Sequence, residues 1–129
     1  MDERVFYIVD VFAESKYTGN QLAVFRNGSG YSDSQMQQIA KEMNYSETTF
    51  IISDESRDGG YDVRIFTPAE EVPFAGHPTL GTAFVILREI ASRPQEKIVL
   101  NLPVGQIPVT FDYSGDEPDL LWMQQKPPQ

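Results

Sequence analysis

The sequence predicts an α+β domain in which strands wrap a central apolar helix, and three observations carry that expectation. Short runs rich in β-branched and aromatic residues recur along the chain, divided by Gly, Asn, Asp and Pro turn signals. Met36, Ile39, Ala40 and Met43 fall at i, i+3, i+4 and i+7, the pattern of a helix with one buried face. Leu80, Ala83, Phe84, Val85, Ile86, Leu87 and Ile90 leave a second helix almost no polar face before Arg88 and Glu89, so that helix must be covered nearly all round. Wrapping strands about it is the economical solution in a chain of 129 residues, 40% of them hydrophobic and 12% aromatic. At this size roughly two thirds of the unfolded surface is buried on folding, enough for one core without metals or disulfides.

Val5 to Phe12 is apolar almost throughout and reads as a strand buried on both faces. A loop through Gly19-Asn20 leads to a second strand, Gln21 to Phe25, closed by the turn Asn27-Gly28-Ser29-Gly30. Ser32 and Ser34 are both candidate N-caps of the first helix, Ser32 with Gln35 at capping-box spacing, and that helix should end near Asn44. Ser46 to Ser53 turns β-rich at once. Asp58-Gly59-Gly60 marks a hairpin into Tyr61 to Phe66, and Pro68 stops that strand. The second helix is expected over about Pro78 to Ala91, with Pro78 in its first turn, where a missing N–H costs little. Lys97 to Leu102, Gln106 to Phe111 and Leu120 to Gln124 complete the strands, the last two joined by a solvated turn from Tyr113 to Pro118.

Ten basic against nineteen acidic residues give a net charge of -9, which argues against nucleic acid or an anionic membrane as partner. With no cysteine there is no disulfide framework, thiol nucleophile or cysteine-ligated metal, and one histidine is a poor basis for a metal site. No run approaches the ~20 apolar residues of a membrane span. Met1-Asp2-Glu3-Arg4 lacks a basic n-region, so a cytoplasmic location without a signal peptide is expected.

His77, the single histidine, sits between Gly76 and Pro78 at a helix start. A neutral imidazole there can orient a substrate or pass a proton; the plain alternative is a loop histidine that caps the helix. The N–H groups of Thr79, Leu80 and Gly81 are expected to lack intrahelical partners, and with the helix dipole they would suit a carboxylate or phosphate. Glu47 lies between Ser46 and the apolar run Phe50-Ile51-Ile52, beside two threonines able to hydrogen-bond it. A carboxylate at the edge of a buried strand suits general acid–base work; the alternative is a turn residue. Asn20 is placed to shape a turn or touch a ligand, Asp10 must find a donor within its strand, and Glu70-Glu71 read as solvated.

Six blocks in order carry a family resemblance: Asp10-Val11-Phe12, Gly19-Asn20-Gln21-Leu22-Ala23-Val24-Phe25, Met36-Gln37-Gln38-Ile39-Ala40, Asn44-Tyr45-Ser46-Glu47-Thr48-Thr49-Phe50, Arg64-Ile65-Phe66-Thr67-Pro68, and Glu71 to Ala83 with Gly76-His77-Pro78-Thr79 at its centre. Together they resemble the PhzF family of phenazine-biosynthesis-like proteins. The resemblance implies a fold similar to diaminopimelate epimerase, with two pseudo-symmetric halves, each a strand barrel around a central helix, and a site in the cleft between them. It implies that Glu47 is the proton-shuttling acid/base and that His77 lines the same site. Asn20 and the turn of Gly76, Pro78, Thr79, Leu80 and Gly81 would bind the substrate, a small carboxylate, with no cofactor and no metal. The reaction it implies is isomerisation of a dihydro-hydroxyanthranilate by hydrogen migration.

One departure is large. The family runs to about twice this length, and its second half carries an Asp-Pro-Ala-Thr-Gly-Ser-Ala-like block that Asp116-Glu117-Pro118 and Asp119-Leu120-Leu121 do not match. Residues 1–125 are therefore expected to be the N-terminal half and Lys126-Pro127-Pro128-Gln129 the start of a linker, with the C-terminal half as the missing partner. A non-catalytic anion-binding or self-assembling module, and a homodimer whose two copies mimic the two halves, are the alternatives.

Overall fold

A computed structural model describes residues 5–11, 20–91, 96–114 and 117–123. In chain order the elements are β1 (Phe6–Val11), β2 (Asn20–Phe25), α1 (Asp33–Met43), β3 (Glu47–Ile51), β4 (Tyr61–Phe66), β5 (Glu71–Val72), α2 (Gly76–Val85), β6 (Lys97–Leu102), β7 (Gly105–Ser114) and β8 (Glu117–Met123). Phe12, the Gly19 turn and the stretch 126–129 lie outside the described residues.

The strands form one mixed eight-stranded sheet in the order β1-β2-β3-β4-β6-β7-β8, with β5 paired to β4. Neighbours are antiparallel except β2–β3 and β4–β6, and these two parallel pairs are the ones joined through a helix. Each is a strand–helix–strand crossover, which a parallel pair requires. Both crossovers step the same way across the sheet, yet β4 runs opposite to β3. Crossovers of one hand must then lie on opposite faces.

The packing agrees. Leu22, Val24, Ile51, Val63 and Ile65 pack with α2, whereas Ala23, Phe25, Phe50 and Phe66 pack with Met36, Ile39 and Ala40 of α1. Side chains alternate between faces along each strand, so adjacent residues serve different helices. On the α1 face Phe6, Phe25 and Phe50 stack across three strands, with centroids 4.8 and 5.2 Å apart.

Local chemistry explains the first helix and the hairpin. Ser32 accepts from the Gln35 N–H while the Gln35 side chain accepts from the Ser32 N–H, and Asn44 ends α1 in the left-handed conformation. Asp58 and Gly59, both at positive φ, turn the chain between β3 and β4. Two positive-φ residues in succession match the twist of the flanking strands.

Four expectations are corrected. The first strand is not buried on both faces: β1 pairs only with β2, and Phe6 and Ile8 are 44% and 45% exposed, because α1 covers β3 and β4 and stops short of this edge. A continuous apolar run cannot report which face is covered. The turn ahead of the last strand is shorter than expected, since Tyr113-Ser114 and Glu117-Pro118 already pair in the β7–β8 ladder. Glu71 is not solvated: Arg64 donates to both its carboxylate oxygens at 2.8 and 2.7 Å and to Asp33 at 2.7 Å. Last, the sheet is open, with no ladder joining β1 to β8 among the described residues. It is nonetheless bent about α2, which touches β1, β2, β3, β6, β7 and β8.

Two outcomes test this packing. A Cβ on Gly60 would lie 2.6 Å from Asn101 Oδ1 and 3.0 Å from the Val99 carbonyl. Asn101 is held by bonds to the Arg57 carbonyl, to Asp62 and from Gln106, so it cannot swing aside. Gly60→Ala should therefore cost about 1–3 kcal/mol in urea denaturation, the range for overpacking; an unchanged midpoint contradicts the fit. Arg57, first, and Asn101 hold the Asp62 carboxyl below its ordinary value against a partial desolvation. Because the folded value lies below the unfolded one, the stabilisation is present above about pH 4 and lost as pH falls through the folded value. The stability difference between wild type and Asp62→Asn should shrink below about pH 4; a difference constant into strong acid contradicts the pairing.

Candidate active site

Glu47 is the first residue of β3 and is half-buried. Its register partner in the parallel neighbour is Leu22, and Asn20, the first residue of β2, lies two residues before that partner. Both therefore open the same edge of the sheet. On β3 the side chains of Thr49 and Ile51 face α2, and Glu47 shares their face by the two-residue alternation. The two neighbouring threonines do not serve as expected. Thr49 Oγ1 and Thr82 Oγ1 of α2 are hydrogen-bonded at 2.8 Å in a fully buried setting. Thr48 points to the opposite face, and its buried hydroxyl has no hydrogen-bond partner.

The helix begins two residues earlier than the sequence suggests. Ala75 is the N-cap, in extended conformation and without a side-chain capping bond, so Gly76 and His77 are the first helical residues and Pro78 the third. Thr79 donates its N–H to the Ala75 carbonyl at 3.2 Å and its hydroxyl to the same oxygen at 2.7 Å. The helical ladder thus starts at Thr79. The expectation that the Thr79, Leu80 and Gly81 N–H groups lack intrahelical partners is therefore corrected: the ladder has begun by Thr79. Pro78, Thr79, Leu80 and Gly81 are buried, Gly76 is half-buried, and His77 is exposed.

The buried Thr49–Thr82 bond joins the strand that carries Glu47 to the helix that carries His77. Glu47 stands about 7 Å from Thr49 along the strand. His77 stands five residues before Thr82, about 7.5 Å along the helix axis. Glu47 and His77 stood out by position in the sequence, whereas Thr82, one of two threonines in the mostly apolar α2, did not. An open groove of about 570 Å³ lies along α1, lined by Asp33, Gln37, Lys41, Arg64 and Glu71 among others, and includes neither Glu47 nor His77. Among the described residues no group of three or more His, Asp and Glu side chains could hold a metal ion, and no helix is long and apolar enough to cross a membrane.

An α+β unit with a mixed sheet bent over one buried helix is the fold of proline and hydroxyproline epimerase-like proteins. A hydroxyproline epimerase from Agrobacterium vitis superposes with a TM-score of 0.67 at 10% identity, over 93% of this chain and 40% of its own. Residues 9–129 match the PhzC-PhzF family of phenazine biosynthesis-like proteins, and the chain belongs to that family. The trans-2,3-dihydro-3-hydroxyanthranilate isomerase of Pseudomonas aeruginosa is 37% identical over 123 residues, covering 95% of this chain and 43% of that protein. A PhzF-family protein from Enterococcus faecalis superposes with a TM-score of 0.74 at 36% identity, over 84% of this chain and 40% of its own. The chain spans well under half the length of these relatives.

Proposed function

We propose that this chain forms one wall of the active site of a cofactor-independent isomerase acting on a small carboxylate-bearing metabolite in the cytoplasm. The observation that carries the reading is the position of Glu47, half-buried at a strand end on the face turned toward α2. Family membership and the isomerase named for the Pseudomonas relative support it.

Glu47, as carboxylate, takes a proton from one carbon of the substrate, and the resulting carboxylic acid returns it to another. Electrons shift within the substrate, and nothing is oxidised or reduced overall. Such general acid–base assistance is worth ~10²–10⁴-fold in rate. The N-terminal turn of α2, led by Gly76 and shaped by Pro78, Thr79, Leu80 and Gly81, receives the carboxylate, helped by the helix dipole. His77 orients the substrate from the surface side of that turn, and Asn20 contacts it from the adjoining sheet edge. Residues 1–125 act as an N-terminal half and 126–129 open a linker. The other half supplies the opposite wall and excludes water.

Full-length protein should incorporate solvent deuterium into trans-2,3-dihydro-3-hydroxyanthranilate, and Glu47→Gln should slow this at least about 100-fold. Exchange by Glu47→Gln at the wild-type rate contradicts the role of Glu47.

A further inference from the structure

We infer that the buried Thr49–Thr82 hydroxyl pair is a positioning device that fixes the rotation and height of α2 against β3, and so the relation of Glu47 to the α2 N-terminal turn. The inference rests on the function proposed above and assigns a role to two residues that touch no substrate.

The need for such a device follows from the composition of α2. Its buried residues are Pro78 to Ala83 and Val85, so nearly every side of it is covered. Apolar contacts are non-directional. Burial of apolar area alone therefore does not single out one rotation of a helix covered on nearly every side; shape complementarity and directional bonds do. Beyond Val85 the ladder widens into a π-helical turn over Ile86–Ile90. A slip of one residue moves the helix 1.5 Å and turns it by about 100°. No 2.8 Å bond between two short, β-branched side chains survives that displacement.

The bond also stands at the right place. Thr49 is two residues from Glu47 on the same face of one strand, and Thr82 is five residues from His77 on one helix. Stiff elements of that length carry the constraint at the bond directly to both groups. Packing volume alone does not call for the hydroxyls, because Val fills the same space as Thr. Thr48 supplies an internal contrast: an equally buried threonine in the same strand whose hydroxyl has no partner.

The test uses full-length protein, with deuterium incorporation into trans-2,3-dihydro-3-hydroxyanthranilate for kcat and KM and urea denaturation for stability. Thr49→Val strands the Thr82 hydroxyl and should lower both stability and kcat. Thr49→Val/Thr82→Val removes both partners, which restores stability, since replacing a buried pair by apolar groups of the same shape is nearly neutral. It should still leave kcat about 10- to 100-fold low, with KM changed less than about three-fold, as expected for a misplacement of about 1 Å. Thr49→Ser should keep kcat near wild type, and so should Thr48→Val. A double variant with recovered stability and wild-type kcat overturns the inference while Glu47→Gln still abolishes exchange. Absence of exchange in the wild type, or exchange indifferent to Glu47→Gln, removes the proposed function and this inference together.

Discussion

Covering α2 is the constraint on which the rest of the chain depends. A helix apolar on nearly every side has no stable place at a surface, so strands from both ends of the sheet are drawn around it. That requirement bends the sheet and brings β1, at one end of the strand order, onto the same helix as β8 at the other. It also decides which part of α2 reaches the surface. His77 is exposed at the N-terminal end, and Arg88 and Glu89 are exposed in the π-helical turn that follows α2, with mostly buried residues between them. The residue of α2 that burial leaves accessible is thus His77, in its first turn.

The two faces of the sheet are held by different means. On the α2 face the contacts are mostly aliphatic, with Phe111 among them and one buried hydroxyl pair between strand and helix. On the α1 face aromatic rings stack across strands, a capping box closes the helix start, and Arg64 clamps Asp33 and Glu71. Arg64 is held above its ordinary value chiefly by its bonds to Glu71 and then Asp33, which marks it as a fixed charge of the scaffold. Glu47 lies on the other face of the sheet, the one turned toward α2.

Much of this was legible locally. The Ser32–Gln35 box, the αL residue Asn44 and the Asp58-Gly59 turn are set by neighbours within four residues, and the structure has them as the sequence implied. The apolar circumference of α2 implied its burial, and Glu47 and His77 stood out by their positions. What was not legible depends on partners distant in sequence. The exposed face of β1 follows from where α1 stops, which no run of apolar residues encodes. The pairing of Arg64 with Asp33, 31 residues away, and of Thr49 with Thr82, 33 residues away, needs the fold first. The start of α2 at Gly76 was missed because Pro78 satisfies the rules for any of the first helical positions.

The central claim is that Glu47 and the Gly76-led turn address one bound molecule. A crystal structure of the full-length protein with 3-hydroxyanthranilate, the aromatic counterpart of the relative's substrate, tests it most directly. The account predicts the ligand carboxylate within about 3 Å of the N–H groups opening α2, and the Glu47 carboxylate about 3–3.5 Å from a ring carbon. A ligand bound against α1, or a Glu47 side chain directed away from a ligand seated on the turn, would contradict it.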